Sequence, residues 1–337
     1  MATIRDIAAE AGVSVGTASA VFNRRQNISD RSRELVLEAA RKLDYQPRPR
    51  PNLRRPNVAL LLPGKRGDAA GIATYEAHLI MAITRELGRP GFLFEIIPAA
   101  EAEVLSKDLF QGAIALFGGD DPHKTIESLK RRIPVISINS PEVRGHTVSS
   151  DGETAVFKAV ELLARYGHRR IGLFSRPFAK LGAARQRLRG YLKGVEEFGL
   201  ERDEALVTEC MLSTYPWVDV VAPLLRANPT AIIILGEDTA PPVLHALFVL
   251  GKRVPHDISV ISYENPALSP VLTPPHTTIA QDMQRIAEEA VRGMDELIRG
   301  KTAGPISVTI PCHIIERQSV KDLGTQKTLN EWAEQKQ

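Results

Sequence analysis

From Val58 onward, apolar runs of strand length alternate with amphipathic stretches of helical length. VALLL (58–62), FLFEII (92–97), GAIALF (112–117), PVISI (134–138), RRIGLF (169–174), AIIIL (231–235) and ISVISY (258–263) read as buried strands. Between them, apolar positions recur with the helical period near 76–88, 122–132, 152–166, 184–198, 217–227, 240–251 and 281–299. Alternation sustained over that length predicts an α/β fold with parallel sheets covered on both faces by helices. In such sheets ligands bind at the carboxyl ends of the strands. Asp151 after HTVSS, Arg187 in the helix entry after RRIGLF, Asp238 after AIIILG and Asn265 after ISVISY occupy those ends. Taken singly, each is as well explained as a helix cap or a surface group.

The first 46 residues have another rhythm. Thr3 is placed to cap a helix with Asp6 in its first turn, and Ile4, Ile7, Ala8 and Ala11 share one face of it. Gly12 suits the left-handed turn that ends it. Val13 then plugs the core, and Ser14 caps a second helix to about Asn23 that buries Ala18, Val21 and Phe22. A third runs from near Ser29 to about Asp44 with Leu35, Val36, Ala39, Ala40 and Leu43 inward. Two short helices joined by AGVS and followed by a longer one predict a helix-turn-helix.

Charge sharpens that prediction. Residues 1–56 hold eleven Lys and Arg against six Asp and Glu, a charge of +5, which leaves −2 for the rest of a chain whose total is +3. A basic head on a near-neutral body is the footprint of a nucleic-acid module joined to something else. Between the two lies PRPRPNLRRP (47–56), with four prolines and four arginines. The longest apolar runs are strand-sized, so no membrane span is expected, and MATIRDIAAE is too polar for a signal peptide. Cys210 and Cys312 have no metal-type spacing and fit a reducing cytoplasm.

IRDIAAEAGVSVGTASAVFNRRQNISDRSRELVLEAARKLDYQP resembles the DNA-binding head of the lactose/galactose repressor family, whose pattern is D-[IV]-A-x-x-A-G-V-S, then T-V-S-R-V-[LF]-N, then L-x-Y-x-P. The resemblance implies that Ser14, Thr17, Ser19, Asn23, Ser29 and Ser32, with Thr3 at the first helix start, contact phosphates, which position a protein without reading sequence. Val15, Gly16 and Ala20 fall where the family reads base edges. Ala20 departs from the usual Arg, and with it goes the bidentate bond to guanine, worth about 1–3 kcal/mol of discrimination. The family's next segment folds into a hinge helix that wedges a Leu into the minor groove. Here Pro49 and Pro51 intrude, each costing a helix about 3 kcal/mol, so extended backbone is expected instead. Arg48, Arg50, Arg54 and Arg55 then track phosphates or the minor groove, with Leu53 as the candidate wedge; a stiff solvated linker is the alternative.

The resemblance continues to about residue 317. SSDGETAVFKAVELLARYGHRRIGLF, RLRGYLKGVEEFGL, PTAIIILGEDTAPPVLHALFVLGKRVPHDISVISYEN and PPHTTIAQD are similar to successive family motifs. It implies two subdomains like those of periplasmic sugar-binding proteins, with crossovers near Ser149, Thr278 and Val308 and an effector between them. The expected domains are a helix-turn-helix at 1–46, a linker at 47–57, a core at 58–318 and a polar tail at 319–337. Within the core, one subdomain takes 58–149 and 279–307, the other 150–278 and 308–318. Arg187, Asp238 and Asn265 match family effector positions, and Asp151 sits at the first crossover. Glu237 replaces the family's Asn and Glu264 its Asp, while Pro241 and Pro242 stiffen a helix start. Lys65 and Arg66 in PGKRGDAAG (63–71) face either an anionic effector or solvent.

The expected protein is a cytoplasmic transcriptional regulator of repressor type. Its partners are double-stranded operator DNA, a sugar-like effector and a second copy of itself, with higher oligomers left open. No cofactor, metal site, catalytic residue or membrane contact is expected. The alternatives are an α/β enzyme or a plain ligand-binding protein with non-specific DNA affinity. The chain lacks G-x-G-x-x-G, P-loop, G-x-S-x-G and H-E-x-x-H signatures.

Overall fold

A computed structural model describes residues 2–22, 28–43, 45, 55–62, 74–89, 91–105, 109–116, 122–140, 144–178, 182–210, 216–236, 239–264, 266–302 and 304–324. The head is three helices, α1 (Ile4–Glu10), α2 (Val15–Phe22) and α3 (Asp30–Lys42). Thr3 and Asp6 form a reciprocal capping box at α1. Gly12 takes φ 64° in the turn, as expected. Ser14 Oγ accepts the Thr17 amide at α2, and Ser29 Oγ accepts the Ser32 amide at α3. Ile7, Ala8, Ala11, Ala18, Val21, Val36 and Ala39 form the core, and Phe22 packs on Tyr45 with ring centroids 5.2 Å apart. One expected core residue is corrected: Leu35 is exposed, and Arg33 is buried in its stead. The inward stripe of α3 steps through 33, 36 and 39 at helical spacing, and Leu35 lies off it.

Past Pro56 the chain builds two similar six-stranded sheets. The first contains β1 (Asn57–Leu62), β2 (Leu93–Pro98), β3 (Gly112–Ala115), β4 (Val135–Ile138) and β5 (His146–Ser150), with α4 (Thr74–Gly88) and α5 (Pro122–Lys130) between them. The chain then crosses over into α6 (Gly152–Arg165), β6 (Ile171–Ser175), α7 (Gly182–Glu197), β7 (Val207–Glu209), α8 (Trp217–Arg226), β8 (Ala231–Ile234), α9 (Ala240–Val249), β9 (Ser259–Tyr263) and β10 (Thr277–Ala280), the second sheet with its helices. α10 (Met283–Ile298) returns to the first sheet, where β11 (Ser307–Ile310) pairs with β5, and β12 (His313–Ile315) closes the second. Strand orders are β11-β5-β4-β3-β1-β2 and β12-β10-β9-β8-β6-β7. Every pairing is parallel except β12 with β10.

Central strands are buried along their whole length, which is why they appear as unbroken apolar runs. Separate buried clusters cover the two faces of each sheet. The crossovers fall after Ser150, Ala280 and Ile310, because ladder pairing of β10 runs on to Ala280 and that of β11 to Ile310. The core also reaches past residue 318. Ser319 is fully buried, accepting the Thr277 amide at 2.8 Å and donating to the Val260 carbonyl at 2.6 Å. Leu323 donates its amide to the Tyr166 carbonyl at 2.9 Å. Residues 319–324 are therefore a strap on the second sheet rather than a tail.

Candidate functional site

On the head, Thr3, Ser14 and Ser29 stand at the N-termini of α1, α2 and α3, where exposed amides and the helix dipole favour an anion. Their hydroxyls are locally bonded: Ser14 to Thr17 at 2.8 Å and Ser29 to Ser32 at 2.9 Å. Val15 and Gly16 are exposed on the first turn of α2, and Ser19 and Ala20 are half-buried one turn on. Asn23, Arg48, Arg50, Leu53 and Arg54 lie outside the described residues, as do Pro49 and Pro51.

The second site lies at the strand ends where the chain crosses between sheets. Asp151 caps α6, its Oδ1 accepting the Thr154 amide at 3.0 Å. α6 and α7 pack at backbone contact, because a Cβ on Gly190 would stand 2.0 Å from the Glu153 carbonyl oxygen and one on Gly194 2.8 Å from Val160. That close approach carries Arg187 of α7 to the start of α6, with its Cγ 3.2 Å from where a Gly152 Cβ would be. The Arg187 guanidinium lies over the Tyr263 ring at the end of β9, 4.1 Å from its centroid. Asn139, Ser149, Ser150, Ala183 and Gln186 complete the cleft.

Its polar groups are incompletely paired. Arg187 Nε, the Tyr263 hydroxyl and the Ser149 hydroxyl are buried without a hydrogen-bond partner, and Arg187 has no carboxylate partner among the described residues. Burial pushes the Tyr263 hydroxyl up to about 12 and the Cys312 thiol beside it up to about 11. Both remain protonated at neutral pH, which makes Tyr263 a hydrogen-bond donor and Cys312 a poor nucleophile. Asp238 and Asn265 lie outside the described residues, as do Glu237, Lys65 and Arg66.

Two groups of side chains escaped the sequence reading. Asn139, at φ 50° just past β4, donates to Tyr75 and, at 3.1 Å, to Gln281 just past β10. Ser150 donates its amide to Asn139 Oδ1 at 2.7 Å and its hydroxyl to Gln281 Oε1 at 2.8 Å. This clasp ties the first crossover to the second. The rule that pointed to Asp151, polar residues at strand carboxyl ends, also covers Asn139 and Gln281. Arg317 is the other. It forms a fork onto buried Glu264, with Nη1–Oε2 3.0 Å and Nη2–Oε1 3.1 Å, while Thr278 donates to the same carboxylate. Glu264 is thereby committed within the second lobe. Pro241 and Pro242 lie in the first turn of α9, where a missing amide costs no bond.

No group of three or more His, Cys, Asp or Glu residues suited to a metal ion occurs among the described residues. Among them, no helix is long and apolar enough to cross a membrane.

A helix-turn-helix attached to a two-lobed core with a polar cleft at its crossovers is the architecture of a ligand-responsive DNA-binding regulator. Residues 3–48 match the lacI family of bacterial regulatory proteins, and residues 160–320 match the periplasmic binding protein-like domain. The chain is 27% identical to the HTH-type transcriptional repressor PurR of Mannheimia succiniciproducens, across 96% of this chain and 100% of that protein. It is likewise 27% identical to the HTH-type transcriptional regulator DegA of Bacillus subtilis, across 96% and 99%. Among solved structures, the transcriptional regulator CelR–cellobiose complex superposes with a TM-score of 0.70 at 26% identity, covering 95% of this chain and 100% of that one. The lac repressor dimer bound to operator and an anti-inducer superposes at 0.68 and 22%, covering 95% and 99%. The head of this chain is thus of the lacI family and its core of the periplasmic binding protein-like kind, the combination that supports a lactose/galactose-type regulator. The chain is a DNA-binding transcriptional regulator with an effector-binding core.

Proposed function

We propose that this protein is a cytoplasmic, non-enzymatic repressor that grips a near-palindromic operator as a homodimer and changes its grip when a hydroxyl-bearing metabolite fills the cleft. The observation that carries the effector reading is the pairing deficit around Arg187. A guanidinium nitrogen and two hydroxyls, buried and unpaired, cost free energy that a polar ligand returns. Asp151 and Arg187 are the described candidates for holding it, with Asp238 and Asn265 as further candidates. The cellobiose bound by CelR is a ligand of the same hydroxyl-rich kind. In the head, Thr3, Ser14, Thr17, Ser19, Asn23, Ser29 and Ser32 are proposed to meet phosphates, and Val15, Gly16 and Ala20 base edges. Arg48, Arg50, Leu53 and Arg54 are proposed to follow the DNA between half-sites.

Dimerisation is favoured by large apolar side chains left exposed on both lobes: Met81 and Ile96 on the first, Phe248 and Val271 on the second. A dimer would present two heads about one helical turn of DNA, or a multiple, apart.

Arg187→Ala tests the cleft. The variant should still bind the wild-type operator yet release or tighten it no further when the inducing metabolite is added, an effect read by titration of labelled duplex. An undiminished response removes Arg187 from the effector site.

A further inference from the structure

Ala18 and Val21 of α2 are buried in the head, so the helix turns Val15, Gly16, Ser19 and Ala20 away from the core. Val15 keeps 44% of its surface exposed. A Cβ added at Gly16 would meet nothing nearer than the Ser14 hydroxyl at 3.6 Å, so packing does not demand glycine and the space before the helix is open. Val15, Gly16 and Ala20 carry no side-chain donor or acceptor. The flanking hydroxyls of Ser14 and Thr17 are bonded to each other, and Ser14 Oγ also accepts the Thr17 amide. Ser19 is half-buried and engaged within the chain.

The major groove distinguishes base pairs by hydrogen-bonding groups and by one apolar feature, the C5-methyl of thymine. A helix face without donors or acceptors forms no bidentate pair with guanine or adenine, so the methyl is what remains for it to read. Gly16 and Ala20 stand one above the other across a turn. Their small size lets the helix backbone settle deep in the groove, which brings the short Val15 side chain to the base edges. Resting on the DNA-regulator reading above, we propose that this head reads its operator through thymine methyl groups, packed against Val15 and Ala20, in place of hydrogen bonds to guanine.

The test offers the full-length protein two random duplex libraries at two salt concentrations, one built with thymidine and the other with deoxyuridine, which lacks only the methyl. Enrichment of an inverted repeat from the thymidine library, retained at higher salt, is the result expected of a sequence-reading regulator. Deoxyuridine is then placed singly along that repeat. Affinity should fall roughly three- to fivefold at one or two thymines per half-site, the effect of losing one buried methyl, and stay level elsewhere. Val15→Ala should shrink the penalty, and Ala20→Arg should replace it with a preference for guanine. Equal affinity for uridine and thymidine versions at every position, or a loss spread evenly along the duplex, overturns methyl readout and leaves the regulator reading standing. Failure to enrich any sequence from either library overturns both.

Discussion

In the head, the hydroxyls of Thr3, Ser14 and Ser29 each accept a backbone amide at a helix start, whereas in the cleft Arg187 Nε and the hydroxyls of Tyr263 and Ser149 are buried and accept or donate nothing. Both regions are sites for a polar partner, yet one is complete without it and the other is not. Exposed head groups also have water, so the absence of DNA costs them little. A buried unpaired polar group costs about 1–3 kcal/mol, so these cleft groups lower core stability and reward a ligand that pairs with them. The difference suits a regulator whose head folds independently of DNA while its core has a reason to change state on binding a metabolite.

The largest test concerns Arg317. Its fork onto Glu264 is the satisfied counterpart of the cleft, a part-buried charge pair with its bonds made. Arg317→Ala leaves the buried Glu264 carboxylate with the Thr278 hydroxyl as its remaining side-chain donor, and should lower core stability by about 3 kcal/mol in urea unfolding. A loss under 1 kcal/mol would mean that water reaches the carboxylate, and the contrast between satisfied and unsatisfied clusters would weaken.

Acid should act next on the same lobe. Burial first, and the neighbouring Arg317 cation second, push His276 down to about 4 from an ordinary 6.5, with the Glu264 carboxylate opposing them. Ser262, its hydroxyl 3.3 Å from Nδ1, is uncharged. The folded state therefore holds His276 neutral while the unfolded chain takes up a proton below 6.5. The stability it contributes is complete above pH 6.5 and is lost as pH falls toward 4, about 2 kcal/mol by pH 5. Burial depresses His168 and His146 in the same direction. Unfolding measured at pH 7 and pH 5 checks this, and the drop should shrink in His276→Gln.

The smallest effects separate head from cleft directly. Ser29→Ala removes a used cap and should cost the head about 1 kcal/mol. Tyr263→Phe removes an unused hydroxyl and should leave core stability unchanged or slightly raised, while weakening the effector response. If Tyr263→Phe destabilises as much as Ser29→Ala, the hydroxyl already has a partner and the comparison fails.

Local pattern carried much of the architecture. Thr3, Ser14 and Ser29 were legible as caps because a cap is a matter of three or four neighbouring residues. The long central strands were legible because burial on both faces leaves no polar positions. HTVSS, TTIA and SVTI were harder: their Ser and Thr hydroxyls interrupt the apolar run, although ladder bonds satisfy the backbone. β7 and β12 are short and partly exposed edge strands, so they have no apolar run to detect. Leu35 misled because hydrophobicity names a candidate for the core without fixing its angle on the helix, and the residues after 318 read as a tail because Ser319 is polar.

Neighbouring residues alone specify the head with its caps and turn, the alternation that makes an α/β core, and the place of Asp151 just past a strand; Arg187, expected at a helix entry, lies in the second turn of α7. The clasp that Asn139 and Gln281, 142 residues apart, close over the crossovers exists in the folded chain alone. Only there is Glu264 spent on Arg317, and only there does Arg187 lie over Tyr263 with its own nitrogen unpaired. The reason is that pairing and burial are properties of the space where distant segments meet.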